Sequence, residues 1–165
     1  MSLTFGDASD RDVLALARLR TLAAVRLTEE HGKGHWSTPI SEAAVRRGFA
    51  HARVIVVRDA GEPVGTLRLA TKKPWAIDLK YFTKAGRALY LTDMAVDPAY
   101  QRRGVGRALF GEALAVARGW PVDAVRLDAY DAPAGAGPFY ASCGFREVGR
   151  ASYRGVRLIY FEKLL

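Results

Sequence analysis

At 165 residues the chain suits one domain spanning 1–165, large enough to bury roughly two-thirds of its unfolded surface. Half of its residues are hydrophobic and a quarter charged; no apolar run nears the roughly 20 residues of a membrane helix, and a single cysteine, Cys143, excludes an internal disulfide or a cysteine-cluster metal site. The net charge of +8 rests on 25 cations, mostly arginines scattered without a polybasic tail or an aromatic-interleaved stripe, which favours a local anion site over a nucleic-acid surface.

The opening stretch MSLTFGDASDRD has neither a basic start nor an apolar signal core, so a cytoplasmic protein with no membrane partner is expected. Residues 9–30 open with Ser9 and Asp10 as capping candidates. Val13, Leu16, Leu19, Ala23 and Leu27 then recur at helical spacing, as in an amphipathic helix covering a sheet. A loop, HGKGHWSTP, precedes a shorter helix over 40–50. The run RVIVVRDAGEPVGTLRLA reads as a hairpin turning between Asp59 and Pro63. Residues 71–86 show no period and are expected to be a long loop. A strand over 88–96, a helix over 104–118, a strand over 123–130, a short helix over 135–143 and a closing hairpin turning near Gly155 complete the chain. This order predicts one α/β domain around a mixed central sheet of about six to seven strands with helices on both faces.

The stretch TDMAVDPAYQRRGVGRALF, residues 92–110, carries the chemistry. A helix start leaves backbone N–H groups without partners and adds partial positive charge. Gly104 and Gly106 present no Cβ to a ligand, while Gln101, Arg102, Arg103 and Arg107 add donors and charge. The combination suits a phosphate or pyrophosphate; the alternative is a glycine-softened turn with solvated arginines. A nucleotide-triphosphate loop is excluded because no Gly-Lys-Ser/Thr follows, and Leu109 occupies the third glycine position of a dinucleotide fingerprint.

The flanks of this loop resemble the GNAT superfamily of N-acetyltransferases. The resemblance rests on an apolar strand ending in Val96-Asp97-Pro98, then Gln101-Arg102-Arg103-Gly104-Val105-Gly106 opening a helix. A second signature follows, Phe139-Tyr140-Ala141-Ser142-Cys143-Gly144-Phe145, with a strand between the two. It implies the GNAT-like fold and acetyl-CoA as acetyl donor. By the same resemblance, the amides of Arg102, Arg103, Gly104, Val105, Gly106 and Arg107 hold the pyrophosphate. The edge of Met94, Ala95 and Val96 pairs with the pantetheine arm, and a bulge splays that strand from its neighbour. The sequence does not display the bulge.

Transfer of an acetyl group to an amine needs a neutral amine, oxyanion stabilisation and a proton for the departing thiolate. The resemblance places the acid at Tyr140 and the base at Asp128 or Asp93, with Asp128 slightly preferred; either aspartate alternatively orients a cationic substrate or pairs with an arginine. Asp131 and His35 are weaker candidates. Pro133 stands where many members carry an asparagine that bonds the cofactor arm, and Cys143 reads as a small buried thiol. For the acceptor pocket the sequence offers Trp36, Trp75, Tyr81 and Phe82 as apolar lining and Asp78 as an amine partner, each of them equally able to serve as a covering side chain. The expected activity is acetyl-CoA-dependent N-acetyl transfer to a primary amine of a small molecule, without metal or nucleic acid and with a homodimer as one assembly option. A protein or peptide N-terminal acetyltransferase and a non-catalytic acyl-CoA-binding module are the alternatives.

Overall fold

The computed structural model describes residues 1–84 and 86–165; Ala85, within the expected loop 71–86, lies outside the described residues. The elements run β1 (Leu3–Asp7), α1 (Val13–His31), α2 (Glu42–Gly48), β2 (Arg53–Asp59), β3 (Glu62–Ala70), β4 (Ala88–Val96), α3 (Val105–Arg118), β5 (Ala124–Tyr130), α4 (Gly137–Ser142), β6 (Arg146–Tyr153) and β7 (Val156–Leu164). Seven strands form one sheet in the order β1-β2-β3-β4-β5-β7-β6. Its pairs are antiparallel except for β4 with β5 at the centre.

The expected elements are present within a few residues of their expected bounds, with one addition. Strand β1 has no sequence signal because it lies at the sheet edge and its side chains are mostly exposed. It is held by backbone pairing to β2, from Leu3 opposite Asp59 to Asp7 opposite Ile55. The first helix also starts later than periodicity suggests. A 3-10 turn over Asp10–Asp12 precedes α1, and Asp12 is buried there. Its carboxylate accepts the Ser9 amide at 2.8 Å and pairs with Arg58 at 2.8 Å, tying the start of α1 to β2.

Alternation in the strands decides which helix covers which face. On β2, Val56 packs with Val13, Leu16, Ala17 and Val45 of α1 and α2. Its neighbours Ile55 and Val57 face the other way, into a core with Val105, Leu109, Phe110 and Ala113 of α3. The helices α1 and α2 leave part of their face bare, and the long loop covers it. Ile77 and Phe82 pack there against Tyr90, Leu158 and Tyr160. Phe82 is therefore core rather than pocket lining, and Tyr81 lies against Tyr160 with ring centroids 5.5 Å apart.

A buried ion pair anchors that loop. Arg126 of β5 and Glu162 of β7 meet at 2.8 Å with side chains almost wholly enclosed. The guanidinium also donates to the Thr83 carbonyl at 2.8 Å and lies 5.1 Å above the Phe82 ring, while the Thr83 amide donates to Glu162 at 3.3 Å. A buried pair is tolerated when its remaining donors and acceptors are satisfied, and breaking one strands a charge. Glu162→Ala should therefore destabilise the fold by about 3–5 kcal/mol, read as a lower urea midpoint. Replacing Arg126 and Glu162 together by apolar residues should cost much less than the single change.

Candidate functional site

The central parallel pair is short. β4 and β5 pair only from Ala88–Ala124 to Tyr90–Arg126 and then diverge. On its other side β4 slips in register against β3: Thr92 lies opposite Arg68 and Ala95 opposite Thr66, so Asp93 and Met94 together face the single residue Leu67. Asp93 sits at φ 55°, in the left-handed region where aspartate is among the better-tolerated side chains. This is a β-bulge, which bends its strand and increases local twist. It stands where β4 leaves β5, so the strand edge from Leu91 to Val96 faces an opening instead of a neighbour.

One cavity, of about 620 Å³, fills the lower part of the opening. Its lining includes Met94, Ala95, Val96, Gln101, Arg102, Gly104, Gly106, Arg107, Pro133, Phe139 and Tyr140. Gly104 caps α3 at φ 83°, and a Cβ there would meet no neighbouring atom, leaving the approach to the helix start open. The amides of residues 102–107 find no acceptor in hydrogen-bonding geometry among the described residues. Gly106 serves packing instead: a Cβ there would come within 3.4 Å of Phe139. Val105 is wholly buried, so only its amide is available to the loop. Arg103 turns away, 5.0 Å above the Tyr100 ring, and Arg107 bonds Ser142 of α4 at 3.0 Å. The Gln101 amide donates to the Val96 carbonyl at 3.0 Å, occupying one acceptor at the end of the strand.

A second cavity, of about 460 Å³, adjoins the first and shares Met94, Ala95 and Tyr140 with it. Arg20, Trp36, Thr92, Asp93, Asp128 and Tyr130 are among its walls. Asp128 is half-buried with no hydrogen-bond partner or cation among the described residues. Burial, with the negative charge of Asp93 as a smaller cause, pushes its carboxyl above the ordinary aspartate range. Asp93 is exposed and bound to Arg20 of α1 at 3.1 Å. Tyr140 is only 7% exposed. Burial and the Asp128 charge raise its phenol, which keeps it protonated at neutral pH. Its hydroxyl has the Met94 sulfur at 3.7 Å as a weak acceptor. The opening therefore brings a carboxyl without a partner and a protonated phenol beside a helix start whose amides are unpaired among the described residues.

The sequence model of the acetyltransferase (GNAT) family matches residues 17–145. The chain belongs to that family. It is an acetyltransferase with acetyl-CoA as its donor. Over 118 residues it is 31% identical to glucosamine 6-phosphate N-acetyltransferase 1 of Oryza sativa subsp. japonica, an alignment covering 67% of each chain. The fold is shared with the PaiA N-acetyltransferase of Thermoplasma acidophilum, solved in complex with coenzyme A (TM-score 0.76, 13% identity, 100% of both chains). It is shared as well with the ribosomal-protein-S18-alanine N-acetyltransferase of Escherichia coli (TM-score 0.71, 19% identity, 99% of this chain and 94% of that one). No helix among the described residues is long and apolar enough to cross a membrane, and none of their His, Cys, Asp and Glu side chains cluster as a metal site.

Within this GNAT fold the loop side chains expected at the acceptor pocket are elsewhere. Trp75 is 81% exposed and lies beside Leu79 and Tyr153, lining neither cavity of the opening. The Asp78 carboxylate accepts the Lys80 amide at 3.1 Å. Asp131 pairs with Arg150 at 3.3 Å and Arg157 at 3.2 Å. Cys143 packs against the aromatic core but is only partly buried, less enclosed than the buried thiol expected. Of the acceptor-side residues, Trp36 is in place, and His35 contributes its carbonyl to the Tyr130 hydroxyl at 3.3 Å. Arg20 and Tyr130 are polar lining residues that sequence reasoning missed, and Thr92 is expected only as part of the strand edge. Arg20 carries a readable signal, since it interrupts the apolar stripe of Leu16, Ala23 and Leu27 with a charge. Arg126, Asp128 and Tyr130 alternate on one face of β5 in the same legible way. Thr92, whose Oγ1 is buried without a partner, carries none.

A raised carboxyl destabilises the folded state once it ionises. Below the ordinary value of 3.8 the group is protonated both folded and unfolded, and it adds no penalty. As pH climbs through the raised value, the folded protein bears the cost of the buried charge. Asp128→Asn should therefore melt near the parent temperature at the acid end and increasingly above it toward neutrality, in thermal melts across pH. A constant difference would show that Asp128 ionises as freely folded as unfolded.

Proposed function

We propose that the protein transfers the acetyl group of acetyl-CoA directly to a primary amine of a small molecule, with Asp128 as base and Tyr140 as acid. The observation that carries the reading is the pairing across one opening of an uncompensated carboxyl, Asp128, with a protonated phenol, Tyr140, beside the capping glycine of α3. The residues present fit the donor: unpaired amides at the start of α3, the Arg102 and Arg107 side chains, an open β4 edge at Met94–Val96 and a cleft of about 620 Å³. Acetyl-CoA, when bound, supplies a thioester carbonyl as electrophile and a thiolate as leaving group.

Asp128 removes a proton from the acceptor ammonium, directly or through water, which frees the nitrogen lone pair to form the N–C bond. Its raised carboxyl suits this task better than an ordinary aspartate, whose value of about 4 lies far below that of an amine. The Tyr140 hydroxyl gives its proton to the sulfur as the C–S bond breaks, and the resulting phenolate is restored by the second proton that the nitrogen sheds as the amide forms. Its weak present acceptor, the Met94 sulfur, costs little to give up. Asp93 remains a base candidate on position alone; its ion pair with Arg20 makes it the poorer one.

Two ties favour a bounded pocket over a groove open at both ends. Arg20–Asp93 joins α1 to β4, and Tyr130–His35 joins β5 to the loop after α1. A small acceptor fits that enclosure better than an extended peptide. The amino sugar phosphate in the name of the rice relative belongs to the small-amine class in size.

Asp128→Asn and Tyr140→Phe should each lower kcat by about 10²–10⁴-fold with little change in acetyl-CoA affinity. The rise of kcat/KM with pH should disappear in Asp128→Asn. A Tyr140→Phe enzyme of parental kcat would remove Tyr140 from the reaction. Gly104→Asp sets a carboxylate at the helix start on a backbone that favours glycine. Calorimetry should record loss of acetyl-CoA binding from a protein that still melts cooperatively, and undiminished binding would remove the loop from the donor site.

A further inference from the structure

The acceptor cavity has a charge and shape pattern that acetyl transfer by itself does not require. Arg20 is its one Lys or Arg wall among the described lining residues, and it is committed to Asp93 at 3.1 Å. Asp128 then stands as the uncompensated charge. A phosphate or carboxylate on the acceptor would meet the Asp128 carboxylate and no unpaired Lys or Arg among the described lining residues, whereas a single ammonium is matched. A diamine finds a partner for its first charge and none for its second.

The apolar side is organised before any acceptor arrives. The Trp36 indole stands edge-on to the Tyr130 ring with centroids 5.7 Å apart and planes at 69°. It folds back over its own loop so closely that a Cβ at position 34 would lie 2.5 Å from the ring, so Gly34 is required there. Its Nε1 donates to the Gly32 carbonyl at 3.0 Å, and Ser37 ties the loop to Thr28 of α1 at 2.7 Å. The indole is only partly covered. A rigid, half-covered aromatic wall loses little entropy when a flat ligand covers the rest.

We infer that the acceptor is a primary amine carried on an aromatic or similarly flat apolar body with no anionic group, and that Trp36 is the side chain that selects it. This deepens the transfer reading above and rests on it for the reaction, although binding can be measured without turnover.

The test titrates 2-phenylethylamine, putrescine and glucosamine 6-phosphate into the CoA-loaded protein by calorimetry, and separately assays each with acetyl-CoA by release of free thiol. 2-Phenylethylamine should bind at least about tenfold more tightly than the other two. Trp36→Ala should abolish that preference and Trp36→Phe should keep most of it, with acetyl-CoA affinity unchanged in both. Equal or tighter binding of putrescine or glucosamine 6-phosphate to the parent protein overturns the inference. So does absence of 2-phenylethylamine binding, or a folded Trp36→Ala protein that retains the preference. Should Trp36→Ala fail to fold, Trp36→Leu decides in its place, since it keeps apolar bulk and removes the ring. Preferential binding without thiol release would uphold the pocket assignment and sink the transfer reading, so the failures are distinguishable.

Discussion

Divergence of β4 from β5 after Tyr90–Arg126 is the constraint on which the rest of the site depends. A continuous parallel pair would bury the inner edge of β4 in hydrogen bonds and leave no cleft. Two features hold the strands apart. The bulge at Asp93–Met94 bends and twists β4 where it leaves β5, and the start of α3 with α4 lines the cleft between the strands. The opening then exposes a backbone edge and a helix start, with the Asp128 carboxyl and the Tyr140 phenol lining adjoining cavities.

The same bulge separates the roles of the two aspartates. Its left-handed residue, Asp93, reaches α1 and is neutralised by Arg20. Asp128, on the regular strand opposite, has no such partner and keeps a raised carboxyl. One ion pair therefore leaves Asp128 as the carboxyl of the pocket without a cation among the described residues. The local instability of an unpaired, half-buried carboxyl is offset elsewhere, notably by the close-packed face between the sheet and α3.

Loop 71–86 illustrates how burial competes with recognition for aromatic residues. Its Trp, Tyr and Phe side chains suggest a ligand pocket by composition. However, the face of the sheet beyond α1 and α2 requires apolar cover, and Ile77 and Phe82 supply it. Composition alone does not separate these uses, because both call for the same side chains. Trp36 differs from Trp75 only in what the fold places opposite it: Tyr130 in one case, solvent in the other.

By itself the sequence determined the helices, the two hairpins, the glycine loop at the start of α3 and the Phe139-Tyr140 segment. These rest on local rules: apolar spacing, turn residues and the residue types a helix start requires. The resemblance to the GNAT superfamily added Asp128 and Asp93 as the preferred candidates for a base. Only the tertiary structure decided between their environments, revealed β1, placed the bulge and brought Arg20, Trp36 and Tyr130 around one cavity. Each of those outcomes depends on partners distant in the chain. Edge pairing carries no side-chain pattern, a bulge is defined by the strand opposite, and a carboxyl's charge is set by burial and by whichever cation folding brings beside it.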